Sequence, residues 1–137
     1  MDALTLFLIL PLFAAILPFL LWLIELIVPY PFIIEEIVKG FLAYRLKGIS
    51  KTSSRLLLGA GIGLVFSFSE TVLYIFNIVA INTLQQFAVR FAATGLLHVT
   101  TMLLMTLGTR KNKQFFFVMV LLAMVLHFIY NSVVGPK

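Results

Sequence analysis

Two carboxylates and an amine stand within five residues, Glu35-Glu36-Ile37-Val38-Lys39, and the chain on either side of them is mostly hydrocarbon. A charged side chain at a bilayer centre costs about 2.5 to 3.5 kcal/mol, so three facing lipid together disfavour insertion by roughly 8 to 10 kcal/mol. Whatever this chain folds into must wrap other helices around that segment. On a helix, Glu35 and Lys39 are four residues apart and Glu36 and Lys39 three, in the favourable Glu-before-Lys order, so one ammonium reaches either carboxylate. The two glutamates diverge by about 100°, which predicts different partners and different jobs, one chemical and one supporting.

Only 11% of the 137 residues are charged and 62% are hydrophobic, whereas soluble domains carry about a quarter charged residues. The expected fold class is therefore all-α, a polytopic transmembrane helical bundle of about five spans. Spans so short and so closely linked must pack together to hide their polar groups, which predicts a single integral membrane domain over residues 1–137. The net charge of +5 comes from basic residues that flank apolar runs, so it is read as membrane topology, with the lipid bilayer as partner and no nucleic acid. The absence of cysteine excludes disulfides and thiolate metal sites.

The spans are placed at about 3–27, 32–46, 56–81, 85–107 and 115–134. The first apolar run lacks a basic leader and exceeds a signal-peptide core, which reads as an uncleaved span, with Pro11 and Pro18 expected to kink it. The second helix, after Pro29-Tyr30-Pro31, is short and carries the acidic pair near its start. In the third, Gly59, Gly63, Ser67 and Thr71 follow at four-residue steps, a ridge that lets a neighbouring helix approach closely. Lys47 to Arg55 is expected as a loop, with Ser53 or Ser54 capping the next helix. Asn82 to Gln86 is a neutral connection, and Gly135-Pro136 is expected to stop the last helix. Arg45, Lys47, Lys51 and Arg55 surround one loop, and Arg110, Lys111 and Lys113 occupy another. Both are expected in the cytoplasm, which puts the N-terminus inside and the C-terminus outside.

Glu70, His98, His127 and Asn131 are further polar side chains at span interiors. At 1.5 Å per residue from the cytoplasmic ends, Glu35 and Glu36 lie roughly 15 to 18 Å up, His98 about 15 Å, His127 about 18 Å, Glu70 about 21 Å and Asn131 about 24 Å. Unrelated packing residues have no reason to share a layer, so one common site is expected. Arg90, near the outer end of the fourth span, is expected to snorkel. A carboxylate in a low-dielectric pocket can serve as general base on water, and His and Asn supply proton relay and donors for a developing oxyanion. No Ser or Thr has an evident base, so peptide-bond hydrolysis by an activated water fits best.

Glu35-Glu36-x-x-Lys39, Phe66-x-x-x-Glu70, His98 and His127-x-x-x-Asn131, in that order on successive spans, resemble the motifs of the PrsW family of intramembrane proteases. That family is similar to the wider group of CAAX prenyl proteases and bacteriocin-processing enzymes. The resemblance implies an endopeptidase of a prokaryotic cell membrane that cuts a membrane-anchored protein, such as an anti-sigma factor, on its extracytoplasmic side. It assigns water activation to Glu35 or Glu36, matches Glu70, His98, His127 and Asn131 to the other catalytic positions, gives Lys39 a supporting role, and has His127 and Asn131 hold the scissile carbonyl. No cofactor is required in this reading. The lesser alternative is zinc on Glu70, His98 and His127, although no HExxH pair shares one helix. Two other functions compete: a non-catalytic membrane scaffold or substrate-binding subunit of the same fold, and a Glu/His proton pathway.

Overall fold

The computed structural model describes residues 3–77 and 84–134, all of whose regular structure is helical. The helices are α1 (Ala3–Glu25), α2 (Pro31–Arg45), α3 (Thr52–Asn77), α4 (Leu84–Gly108) and α5 (Lys113–Val133), with a 3-10 turn over Leu46–Gly48 after α2. Four of them, all but α2, are long and apolar enough to cross a membrane. At 15 residues, α2 is about 22 Å long, short of the roughly 30 Å hydrocarbon thickness. The expected end of the third span at 81, the connection from Asn82 and the stop at Gly135-Pro136 lie partly or wholly outside the described residues.

Two helices begin for a local reason. Pro31 opens α2 at a first-turn position, where its missing N–H costs nothing. Asn112 caps α5 by accepting a hydrogen bond from the Phe115 N–H at 2.8 Å. The helix α1 runs through Pro11 and Pro18 without interruption. The start of α3 corrects the expected loop, because Arg55 N–H already bonds the Lys51 carbonyl at 3.1 Å and the helix begins at Thr52, leaving Ser53 and Ser54 inside it. The side chain of Arg55 folds back onto the Ile49 carbonyl through Nε and Nη2, at 3.0 and 2.5 Å. This clasp holds the shortened connection.

The helix α4 packs against α3, α5 and α2, while α1 packs against α3 and α2, and α2 also touches α5. Leu6, Leu10, Ala14 and Leu21 turn one stripe of α1 inward to join Ile62, Phe66, Met102 and Met105 in a common core. The opposite stripe of α1, including Leu8, Leu12, Ile16 and Leu23, is exposed. That is an apolar surface suited to lipid.

The small-residue ridge of α3 lies against α4. A Cβ on Gly63 would meet the His98 carbonyl oxygen at 2.6 Å and the Val99 Cα at 2.9 Å, and one on Gly59 would meet Thr106 Oγ1 at 2.7 Å. Further along, Ser67 Oγ lies 2.8 Å from Thr94 Oγ1 and Thr71 donates to the Ser67 carbonyl at 2.8 Å. Since Thr94 donates to the Arg90 carbonyl, Ser67 donates to Thr94. Backbone meets backbone at Gly63, so Gly63→Val cannot be relieved by a side-chain rotation. We expect it to destabilise the protein by about 1 to 3 kcal/mol in a denaturant titration in micelles; unchanged stability would contradict so close an approach.

Candidate active site

The close contact at Gly63 positions the next groups along both helices. Two turns after it, α3 presents Glu70, and α4 presents His98, whose Nε2 lies 2.5 Å from Glu70 Oε2. On its other side His98 Nδ1 lies 2.7 Å from Lys39 Nζ on α2. Lys39 donates to Glu36 Oε1 at 2.5 Å, and that oxygen also lies 2.7 Å from His127 Nδ1 on α5. His127 Nε2 then faces Glu35 Oε2 at 4.0 Å. Six of the seven residues named from the sequence thus form one chain of contacts across four helices. Glu35, Glu36, Lys39, His98 and His127 are buried, and Glu70 is partly exposed.

Proton positions follow from the donors available. An ammonium has three N–H groups and no acceptor, so Lys39 donates to His98 Nδ1. With that nitrogen accepting, neutral His98 carries its proton on Nε2 and donates it to the Glu70 carboxylate. Glu36 Oε1 can only accept, so His127 donates from Nδ1, and in its neutral form the lone pair is on Nε2, turned toward Glu35. Glu36 Oε2 is buried without a hydrogen-bond partner among the described residues.

Aromatic rings pack around these groups. Phe66 lies under the Lys39 ammonium at 5.1 Å and beside His98 at 5.2 Å between centroids. The two histidine rings meet edge to face at 5.4 Å and 81°. Phe32, in the first turn of α2, packs against both His127 and Phe128.

Asn131 is not brought in. It is exposed, one turn beyond His127. The helix α2 starts at Pro31, level with His127 and Phe128 through Phe32, so it does not extend to the level of Asn131. Arg90 departs from expectation in the opposite sense. Its Nη2 is 3.7 Å from Glu70 Oε1 and its guanidinium stacks on Tyr74 at 3.3 Å, so it pairs with the site instead of snorkelling. The clue was present in the sequence: Arg90, Thr94 and His98 follow at four-residue steps and share one face of α4.

Glu35, His98 and His127 each offer a donor atom, and the three atoms lie within 4.8 Å of one another. Two imidazoles and a carboxylate suit zinc, and His127 with Glu36 behind its Nδ1 has the usual outer partner of a metal-bound histidine. The carboxylate of this trio is Glu35, whereas the sequence suggested Glu70, which is taken up by His98 and Arg90. His98 does not fit the part as arranged. Lys39 uses the lone pair of its Nδ1 and Glu70 takes the proton of its Nε2, so a metal would be left with Glu35 and His127, one ligand fewer than catalytic zinc sites use.

A family model described as PrsW family intramembrane metalloprotease matches residues 5–136. Neither the curated proteins nor the solved structures gave a match.

Proposed function

Since the chain belongs to the PrsW family of intramembrane metalloproteases, we propose that the buried cluster is its active site and hydrolyses a peptide bond of a membrane-anchored protein with a water activated by Glu35. The observation that carries this reading is the facing pair, Glu35 Oε2 and His127 Nε2, at 4.0 Å. A water about 2.8 Å from both atoms, an ordinary hydrogen-bond length, donates one hydrogen to each. Its lone pair is then turned away from the pair, toward an incoming carbonyl.

Glu35 takes one proton as the water oxygen bonds to the carbonyl carbon, and returns it to the amide nitrogen as the C–N bond breaks, leaving a carboxylic acid and an amine. Glu36 is the supporting glutamate. Its Oε1 already accepts from Lys39 and His127, so it fixes the tautomer of His127 and aims Nε2 at the water. Glu70 does the same for His98, which in turn holds Lys39. Asn131 has no part in this scheme. No step passes through a metal, because the hydrogen bonds of His98 leave it no lone pair to give.

The basic residues before α3 and before and at the start of α5 support a cytoplasmic placement of the 46–51 and 109–112 connections. The first turn of α2 then lies in the outer half of the bilayer, and the cut falls near the extracytoplasmic side. The test is cleavage of a panel of tagged single-span membrane proteins, co-reconstituted with the purified chain in proteoliposomes. We expect fragments whose rate is unchanged by strong chelators and whose new ends map to the outer half of the substrate span. Loss of cleavage on chelation, with recovery on adding zinc, would overturn the metal-free mechanism.

A further inference from the structure

Between α2 and α5 runs an apolar groove of about 550 Å³, from Lys113 and Tyr44 at one end to Ile37 and Met124 at the other. From Lys113 to Met124 it follows α5 for about 16 Å, close to the roughly 15 Å depth of one bilayer leaflet's hydrocarbon. Cations gather at its lower end. Lys113 lines it, and Lys47 Nζ sits 5.9 Å over the ring of Tyr44, which is part of the wall. The groove between α4 and α5, about 290 Å³, has no Lys or Arg in its lining.

An apolar trough as deep as one leaflet, ending in two cations, is complementary to a lipid that lays one hydrocarbon chain along it and carries a negative head. A transmembrane helix fits less well, since such helices carry their own Lys and Arg at the cytoplasmic end and would meet like charge. We propose that the α2–α5 groove is a binding site for an anionic phospholipid, one acyl chain lying along Gly40, Phe41 and Val120 and the phosphate resting between Lys113 and Lys47. Cationic side chains near a membrane surface favour anionic lipid by about fivefold each. The upper end of the groove, at Gly40 and Met124, stops one turn from Glu36 and His127, so the bound chain walls off the site from bulk lipid on that side.

Native mass spectrometry of the purified, delipidated chain, titrated with phosphatidylglycerol or phosphatidylcholine, tests this without reference to proteolysis. We expect wild type to retain phosphatidylglycerol preferentially. Lys47→Gln with Lys113→Gln should lower that preference by about fivefold for each charge removed while still taking up phosphatidylcholine. Leu121→Trp, which places an indole in the groove from an exposed lining position, should lose both adducts with its helical circular dichroism unchanged. Equal retention of the two lipids by wild type, or a preference that survives the double substitution, would overturn the proposal. So would a dimer in place of the lipid adduct, dissociated by Leu121→Trp, since a second copy would then be the occupant.

Discussion

Replacing Glu35 with Gln is expected to slow cleavage of a co-reconstituted single-span substrate by about 10²- to 10⁴-fold, the range a general base contributes. The amide keeps the shape of the carboxyl group and can still hold a water, yet it cannot take the proton. Glu35 is not a partner in the contacts that bind Lys39, His98, His127 and Glu36 to one another. Because Gln has the shape of Glu, the variant should fold as wild type does, and its loss of rate should be seen per folded molecule. A rate within tenfold of wild type would remove Glu35 from the role of base.

Lys39→Met is expected to have the largest effect on stability. Lys39 and Glu36 are both wholly buried, and removing one partner of a buried ion pair costs about 3 to 5 kcal/mol because the other charge is left unbalanced. Here the damage spreads further: Glu36 keeps only the His127 donor, and His98 Nδ1 loses the ammonium it accepts from. The double variant Glu36→Gln with Lys39→Met removes both charges and should regain most of the stability, as replacements of buried pairs by neutral groups often do. Its activity should stay low, because the acceptor that orients His127 is weakened. Denaturant titration in micelles checks the first expectation, and a double variant no more stable than Lys39→Met alone would contradict it.

Much of this was legible in the sequence because hydropathy and helical periodicity report depth and face. The five helices, the role of the Gly59–Thr71 ridge as a packing surface and the shared layer of Glu35, Glu36, Glu70, His98 and His127 follow from those two quantities. What they leave open is how the helices are rotated toward one another. Lys39 reaches either glutamate on its own helix, and only the position of His127 on α5 decides that Glu36 accepts from it while Glu35 is left facing Nε2. The contact of Lys39 with His98, 59 residues away, lies beyond any local pattern.

Asn131 shows the limit of depth alone. It follows His127 by four residues and so shares its face, but a face becomes part of a site only where a neighbouring helix covers it, and α2 begins too late to do so. Arg90 is the converse case. Its place near a helix end suggested escape to the interface, whereas Glu70 and Tyr74 on α3 supply a carboxylate and a ring that hold it within the bundle. The start of α3 was misplaced because two serines offered a cap that the chain does not use.

The chain has two histidines, so nitrogen-15 NMR of the purified protein in micelles reads the whole relay from two rings. The linked arrangement requires opposite neutral tautomers, His98 carrying its proton on Nε2 toward Glu70 and His127 carrying its proton on Nδ1 toward Glu36. Observation of that pair, with the His98 resonances displaced in Lys39→Met and the His127 resonances in Glu36→Gln, is the predicted result. Two rings in the same tautomer, or a proton on His98 Nδ1 where Lys39 must donate, would contradict it.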